Sequence, residues 1–342
     1  MSLLATTSSI WMEAGTMNVS RKVPQSEEHS GGLERSGRLA LFNEHRGLLF
    51  SIGYRMLGSV ADAEDILQET FLRWHTTSEE EIRSPRAYLV TILSRLCINH
   101  LQSARIQREE YAGLWLPEPV VTDSKDGLFH LIMVDESLSM AFLVLLERLT
   151  PMERAVFLLK EVFEYEHREI ASIVQQNEIN CRQILKRAKQ HISVPRPRFH
   201  ATQPNHDALL ESFLKATGTG DVSGLLSLLT EDVVLRSDGG GKAAAVPNEV
   251  RGADKVGKGI LGGLQRFVPK TLVRRLVQIN GEPGLINYLE GRPHSVVTID
   301  MEGGLISAIY IITNPDKLKH LSRLQSIPDS AGCLPNSEIY PR

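Results

Sequence analysis

Three cysteines in 342 residues, at 97, 181 and 333, are too few and too scattered for a disulfide framework. With no C-x-x-C pair they supply no zinc knuckle either, and such usage fits a reducing cytoplasm. No run approaches the roughly 20 consecutive apolar residues that span a bilayer. The opening stretch, MSLLATTSSIWMEAGTMNVSRK, lacks a basic segment followed by an unbroken apolar core, so it does not read as a signal peptide. Neither sign of charge dominates: 38 Lys and Arg stand against 41 Asp and Glu. A chain that gripped duplex DNA alone, through many phosphate contacts, would carry a clear basic excess. Any nucleic-acid role is therefore local, or shared with a partner.

The 42% hydrophobic and 23% charged content is that of a globular protein, and the length suits two or three domains. Residues 1–38, rich in Ser, Gly and Glu, read as a disordered tail, within which Met17 competes with Met1 as a start. A helical pattern fills 39–108 and is interrupted once by a polar, Pro-containing loop at 76–85. A linker, 109–133, holds Trp115-Leu116-Pro117-Glu118-Pro119, whose prolines impose extended or turn backbone. Helices resume over 134–192, and a Pro-rich linker follows at 193–205. The next segment, 206–320, opens with two short helices and continues as β-like runs with Asn280-Gly281 and Gly303-Gly304 turns, an α+β pattern. A C-terminal tail, 321–342, completes the division. Residues 41–192 carry 17 basic against 22 acidic side chains, residues 193–342 carry 17 against 15.

The strongest signal lies between Thr150 and Ile192. Thr150-Pro151-Met152-Glu153 has an N-cap, a proline at N1 and a capping-box Glu. A second helix, near 167–174, buries Ile170, Ala171 and Ile173. After a Gln175-Gln176-Asn177 turn, the third helix faces the core with Cys181, Ile184, Leu185 and Ala188 at i, i+3, i+4, i+7. Arg182, Gln183, Lys186 and Arg187 then point outward. A helix-turn-helix with basic and amide side chains outward is the geometry that fills a major groove; an ordinary solvated basic helix has the same periodicity.

Upstream, Ala63, Ile66, Leu67, Phe71 and Trp74 bury one side of a helix and leave Asp62, Asp65, Gln68 and Glu69 outside. Such carboxylates suit a solvated face, a metal or acid/base site, or docking on a basic protein. The following helix, near 86–103, carries Arg95, Asn99, His100 and Gln102 above a core of Leu89, Ile92, Leu93, Leu96 and Ile98. That face suits phosphates and unstacked bases.

Asp-Ala-Glu-Asp-x-x-Gln-Glu-Thr-Phe (62–71) and the helix-turn-helix with Cys-Arg-Gln-Ile-Leu-x-Arg-Ala (181–188) resemble regions 2 and 4 of extracytoplasmic-function (ECF) sigma factors. Trp-Leu-Pro-Glu-Pro (115–119), Asp-Gly-Gly-Gly-Lys (238–242) and Asn-Pro-Asp-Lys-Leu (314–318) resemble the SigJ-like group, which carries a fused SnoaL-like (NTF2-like) domain. The resemblance implies two all-α sigma domains, a region 2 bundle and a region 4 helix-turn-helix, followed by an α+β domain. It implies that Asp65, Gln68 and Glu69 dock on the β′ clamp coiled coil of core RNA polymerase, with the β flap as a further contact. By the same resemblance Arg95, Asn99, His100 and Arg105 contact the −10 element and the 76–85 loop captures a flipped −10 base. Arg182, Gln183, Lys186 and Arg187 read the −35 element. Asn99 departs from the group's usual Asp and Gln102 from its usual basic residue. The group implies regulation in cis, with neither a separate anti-sigma factor nor a membrane.

For the C-terminal domain the expected interdomain positions are Trp115, Pro117, Glu118, Asp238, Gly240, Lys242, Asn314, Asp316 and Lys317. Asp238-Gly239-Gly240-Gly241-Lys242 invites a phosphate-loop reading but lacks the G-x-x-x-x-G-K-[ST] spacing; three glycines suit a tight turn and close backbone approach. SnoaL-like folds include cyclases and isomerases, and Asp232, Asp238 and His294 are available, with no spacing that singles out an acid/base pair. The two readings are a promoter-specificity factor with a fused interaction module and a bifunctional protein whose second half binds a ligand or catalyses. The first is preferred, with no catalytic residue, metal or cofactor.

Overall fold

The computed structural model describes residues 27–77, 82, 84–109, 111–122, 138–192, 203–269, 271–323 and 333–335. Three long helices come first: α1 (Glu27–Leu57), α2 (Val60–Thr76) and α3 (Pro85–Glu109). Helix α1 starts inside the stretch expected to be a disordered tail, so that expectation does not hold for residues 27–38. Once the downstream turns form, each residue added to a helix fixes one backbone unit and gains one hydrogen bond, which extends α1 through a weakly patterned sequence. Most of the 76–85 loop lies outside the described residues.

Four shorter helices follow: α4 (Met140–Leu146), α5 (Pro151–Glu161), α6 (His167–Val174) and α7 (Glu178–Ile192). Within the unit Leu41–Arg342, α1 to α3 and α5 to α7 share one apolar core. Leu49, Phe50 and Leu57 of α1, Ala63 and Leu67 of α2, and Leu89, Leu93 and Cys97 of α3 meet Leu158, Ile170 and Cys181 in it. Cys97 and Cys181 are buried free thiols, and burial pushes both thiol pKa values up, so they serve as small apolar core residues.

The remaining described residues form a seven-stranded sheet with three α-helices and a short 3-10 turn at Pro315–Leu318. Helices α8 (Gln203–Thr219) and α9 (Val222–Ser227) lead into strands β1 (Leu229–Asp238) and β2 (Val250–Arg251), helix α10 (Ala253–Phe267), and strands β3 (Val273–Ile279), β4 (Glu282–Leu289), β5 (Arg292–Glu302), β6 (Leu305–Ile312) and β7 (Cys333–Pro335). The order is β2-β1-β6-β5-β4-β3-β7, with β3 to β6 an antiparallel meander and β1 parallel to β6. Strand β7 pairs with β3 at an edge, where the sequence suggested only a tail.

Both faces of this sheet are covered, so its central strands read as almost unbroken apolar runs. One face packs Val233, Leu235, Leu285, Ile299 and Ile309 against α8 to α10. The other packs Val277, Ile286, Tyr288, Val296 and Ile312 against Leu116 of the linker and Met140 of α4. The linker thus lies between the sheet and the sigma-like helices. No described helix is long and apolar enough to cross a membrane.

Candidate nucleic-acid interface and its joint to the sheet domain

The helix-turn-helix is built by its caps. Thr150 Oγ1 accepts from Glu153 N at 3.3 Å while the Glu153 carboxylate accepts from Thr150 N at 3.0 Å, the reciprocal box expected from the sequence. Gln175 turns left-handed at φ 54° to end α6. Asn177 Oδ1 accepts from Asn180 N at 2.7 Å and opens α7. Cys181, Ile184, Leu185 and Ala188 bury one side of α7, and Arg182, Gln183, Lys186 and Arg187 are all exposed on the other. Arg182 folds back on Glu178, one turn earlier, in an exposed ion pair.

On α2, Asp65 and Gln68 are exposed and Glu69 is half-exposed, paired to Arg73 at 2.7 Å. On α3, Asn99 is exposed and His100 lies 3.5 Å from Asp62 of α2. The Arg105 side chain lies outside the described residues. Arg95 is placed differently from a DNA-facing side chain. Its Nε donates to Ile173 O at 2.8 Å and its Nη2 to Ser172 O at 2.9 Å, at the C-terminal end of α6. Arg154 of α5 does the converse, with Nη1 donating to Met56 O at the end of α1 at 2.8 Å and to Glu147 at 2.8 Å. Each helical half therefore caps a helix of the other with an arginine. Carbonyls at a helix C-terminus lack intrahelical donors and carry the negative end of the dipole, so a guanidinium satisfies both needs.

The second cluster joins the linker to the sheet domain. Asp238, at the end of β1, is fully buried. Its Oδ1 accepts from the Tyr111 hydroxyl at 2.7 Å and Gly240 N at 3.0 Å. Its Oδ2 accepts from Leu116 N and Lys317 Nζ, at 2.8 and 2.7 Å. Four donors, one of them charged, offset the cost of burying a carboxylate. Lys317 also donates to Leu116 O, and its ammonium sits 4.0 Å from the centroid of the Trp115 ring, a cation–π contact. Tyr111 OH accepts in turn from Asn314 Nδ2 at 2.8 Å. Burial, followed by the hydrogen bond to Asp238, pushes the Tyr111 pKa up and keeps it a neutral donor. Gly240 has φ +58°, and a Cβ there would lie 2.3 Å from Asn314 Nδ2, so the glycine turn closes on the Asn-Pro-Asp-Lys-Leu segment. Outside this core, Lys242 and Lys319 pair with the exposed Asp316, whose pKa falls to about 2 through those hydrogen bonds.

The same linker grips α2. Gly58, at φ +67°, receives the edge of Trp115: a Cβ would lie 2.6 Å from Trp115 Cη2 and 3.6 Å from Pro117 Cβ. Glu118 N donates to Gly58 O at 2.8 Å. The Glu118 carboxylate accepts from Val60 N at 2.8 Å and Ser59 Oγ at 3.1 Å, adding a second cap to the helix that Ser59 already caps. Tyr54 OH donates to Glu118 O at 2.5 Å and accepts from Asn280 Nδ2 at 2.8 Å. Asn280 Oδ1 also accepts from Val120 N at 2.9 Å. The structure thus gathers Trp115, Pro117, Glu118, Asp238, Gly240, Lys242, Asn314, Asp316 and Lys317 along one joint. It adds Tyr54, Tyr111 and Asn280, which sequence reasoning missed; only the Asn280-Gly281 turn was visible. Asp238 is saturated by its four donors inside the joint, whereas Asp232 is exposed on β1 and His294 is half-buried on β5. Among the described residues no group of three or more His, Cys, Asp and Glu is placed to hold a metal.

Comparison with known proteins bears on both clusters. The family Sigma-70 region 2 matches residues 41–106, and Sigma-70, region 4 matches residues 139–192. The ECF RNA polymerase sigma factor SigJ of Mycobacterium tuberculosis is 37% identical over 289 residues, covering 81% of this chain and 91% of that protein. The probable ECF RNA polymerase sigma factor SigI of the same species is 29% identical over 284 residues, 82% of this chain and 95% of that protein. The crystal structure of M. tuberculosis SigJ superposes with a TM-score of 0.68 at 35% identity, covering 82% of this chain and 97% of that one.

Proposed function

Because this chain belongs to the ECF RNA polymerase sigma factors, we propose that the structure is its closed, promoter-blind state, held shut by the Arg95 and Arg154 caps and set by the sheet domain through the linker. The family function is promoter-directed transcription initiation, which requires core polymerase and promoter DNA. The finer assignment is that Asp65, Gln68 and Glu69 dock on the β′ clamp coiled coil. Residues Arg182, Gln183, Lys186 and Arg187 read the −35 duplex, and Asn99, His100, Arg105 and a released Arg95 read melted −10 DNA.

The observation that carries the closed reading is the reciprocal capping. By their names the two promoter elements lie about 25 base pairs apart, roughly 85 Å of B-form DNA at about 3.4 Å per pair. Helices α3 and α6, which belong to the two reading halves, are in hydrogen-bond contact through Arg95. Two halves held together through this α3–α6 contact do not span that distance, so they separate before both elements are read. Arg95 links the two states, because the cap on α6 commits its Nε and Nη2 to Ile173 O and Ser172 O and turns that edge of the guanidinium away from DNA.

The sheet domain is the built-in regulator in this reading. Glu118 sets the N-terminus of the helix that carries the polymerase-docking face, while Asp238 and Lys317 hold the linker on the sheet. No catalytic step, cofactor or separate anti-sigma factor enters, and the chain acts in the cytoplasm beside the polymerase.

The test is run-off transcription with core polymerase on promoters selected from a random library. The full chain yields promoter-specific transcripts, and an Asp65→Ala/Gln68→Ala variant loses them together with core binding. A variant indistinguishable from the parent in both assays would contradict the docking assignment.

A further inference from the structure

Ile179 is 71% exposed, more than any other large apolar side chain among the described residues. It is the second residue of α7, one turn ahead of the exposed Arg182 and Gln183 and two turns ahead of Lys186. At i, i+3, i+4 and i+7 these four side chains share one face of the helix, opposite the buried Cys181, Ile184, Leu185 and Ala188. An isoleucine in water makes no contribution to the core that its neighbours build, and helix propensity favours many residues over it. The polar residues flanking it are otherwise engaged: Asn180 Nδ2 donates to Gln176 Oε1 at 2.7 Å, and Glu178 pairs with Arg182.

We infer that Ile179 is a specificity residue of this sigma factor, reading the 5-methyl group of a thymine in the −35 element. The inference rests on the assignment of α7 to the −35 duplex. A recognition helix presents its N-terminal residues to base edges, which is where Ile179 sits. Of the features displayed in the major groove the thymine methyl is the one protruding apolar group; the polar ones are donors or acceptors that an aliphatic side chain would bury without satisfying. The β-branch restricts χ1, so the side chain meets the groove with little rotamer freedom left to lose. The surrounding Arg182, Lys186 and Arg187 supply the phosphate attraction that Ile179 lacks, leaving it a sequence-reading task alone.

The experiment uses holoenzyme assembled from core polymerase and the full chain, on a promoter obtained by library selection. Each thymine of the −35 element, on both strands, is replaced singly by deoxyuridine, which deletes only the methyl group. Promoter binding is measured for the parent, Ile179→Ala and Ile179→Val. The expectation is one thymine at which uracil weakens the parent by roughly three- to fivefold, the effect of one buried methyl. The same replacement leaves Ile179→Ala unaffected, and Ile179→Val retains most of the discrimination. Ile179 is solvent-exposed, so thermal melts of both variants should overlay that of the parent.

A −35 element without a thymine whose methyl couples to residue 179 would overturn the inference. So would an Ile179→Ala defect in core binding with uniform DNA affinity, which would make the side chain a polymerase contact. A Lys186→Ala/Arg187→Ala variant separates the two layers. If it binds promoter as the parent does, the −35 assignment of α7 fails and Ile179 with it. If it weakens binding while the uracil series stays uncoupled from residue 179, the inference alone fails.

Discussion

Asp238 Oδ2 and Lys317 Nζ lie 2.7 Å apart, with side chains 0% and 7% exposed, between a strand end and a turn 79 positions later. A charge pair at this depth stabilises chiefly by keeping each charge from facing the interior alone. Breaking such a pair costs about 3–5 kcal/mol, whereas replacing both members together costs far less. Asp238→Asn should therefore destabilise the chain strongly in urea, and Asp238→Asn/Lys317→Met should recover part of that loss. Equal and additive effects of the two single changes would show that they do not act as a pair.

Gly58 tests the grip of the linker on α2. Its φ of +67° and the 2.6 Å approach of Trp115 to its missing Cβ both exclude a side chain. Gly58→Ala should cost about 1–3 kcal/mol from backbone strain and overpacking. Trp115→Ala in the same background should relieve the overpacking part. An unaltered urea midpoint for Gly58→Ala would contradict the close approach.

Glu282 introduces a pH dependence. It faces Asp300 from the neighbouring strand, and burial followed by that like charge raises its pKa from 4.5 to about 8. The folded state then holds a proton that the unfolded chain releases near 4.5. The stability this gives is complete below that pH and is lost as pH rises through about 8. The melting temperature should fall across that window, and Glu282→Gln should flatten the fall. A flat profile in the parent would remove Glu282 as its source.

Arg95 has two roles in this account, and they pull apart. Arg95→Ala removes two charge-assisted bonds to α6 carbonyls, worth about 1–2 kcal/mol in a half-buried setting. The variant should be cleaved faster by protease between the helical halves while binding core polymerase as tightly as the parent. Unchanged proteolysis would show that the cap does not hold the halves together.

The elements legible in the sequence were those whose signals are local. Caps and the i, i+3, i+4 stripe mark α5 to α7, and the turns at Asn280-Gly281 and Gly303-Gly304 mark the β3–β4 and β5–β6 hairpins. Helix α10 escaped because Gly257, Gly259, Gly262 and Gly263 suppress helix propensity there; packing of Val256 and Ile260 on the sheet overrides it. The clustering of Asp238 with Trp115 and Lys317 came from family resemblance, since no periodicity relates positions so far apart. The cross-caps of Arg95 and Arg154 were invisible for a related reason. Each is an arginine on a helix whose partners are backbone carbonyls, and carbonyls have no sequence.

The measurement that bears most directly on the closed state is the distance between α3 and α7 in the free chain and in the promoter complex. Labels at Gln102 and Gln190, both exposed, in a Cys333→Ser background would report it by double electron–electron resonance. The account predicts a short, single distance in the free chain. It predicts a shift of several tens of ångströms on promoter-bound holoenzyme, toward the roughly 85 Å that separates the two elements along B-form DNA. A distance unchanged on the promoter would contradict the closed reading.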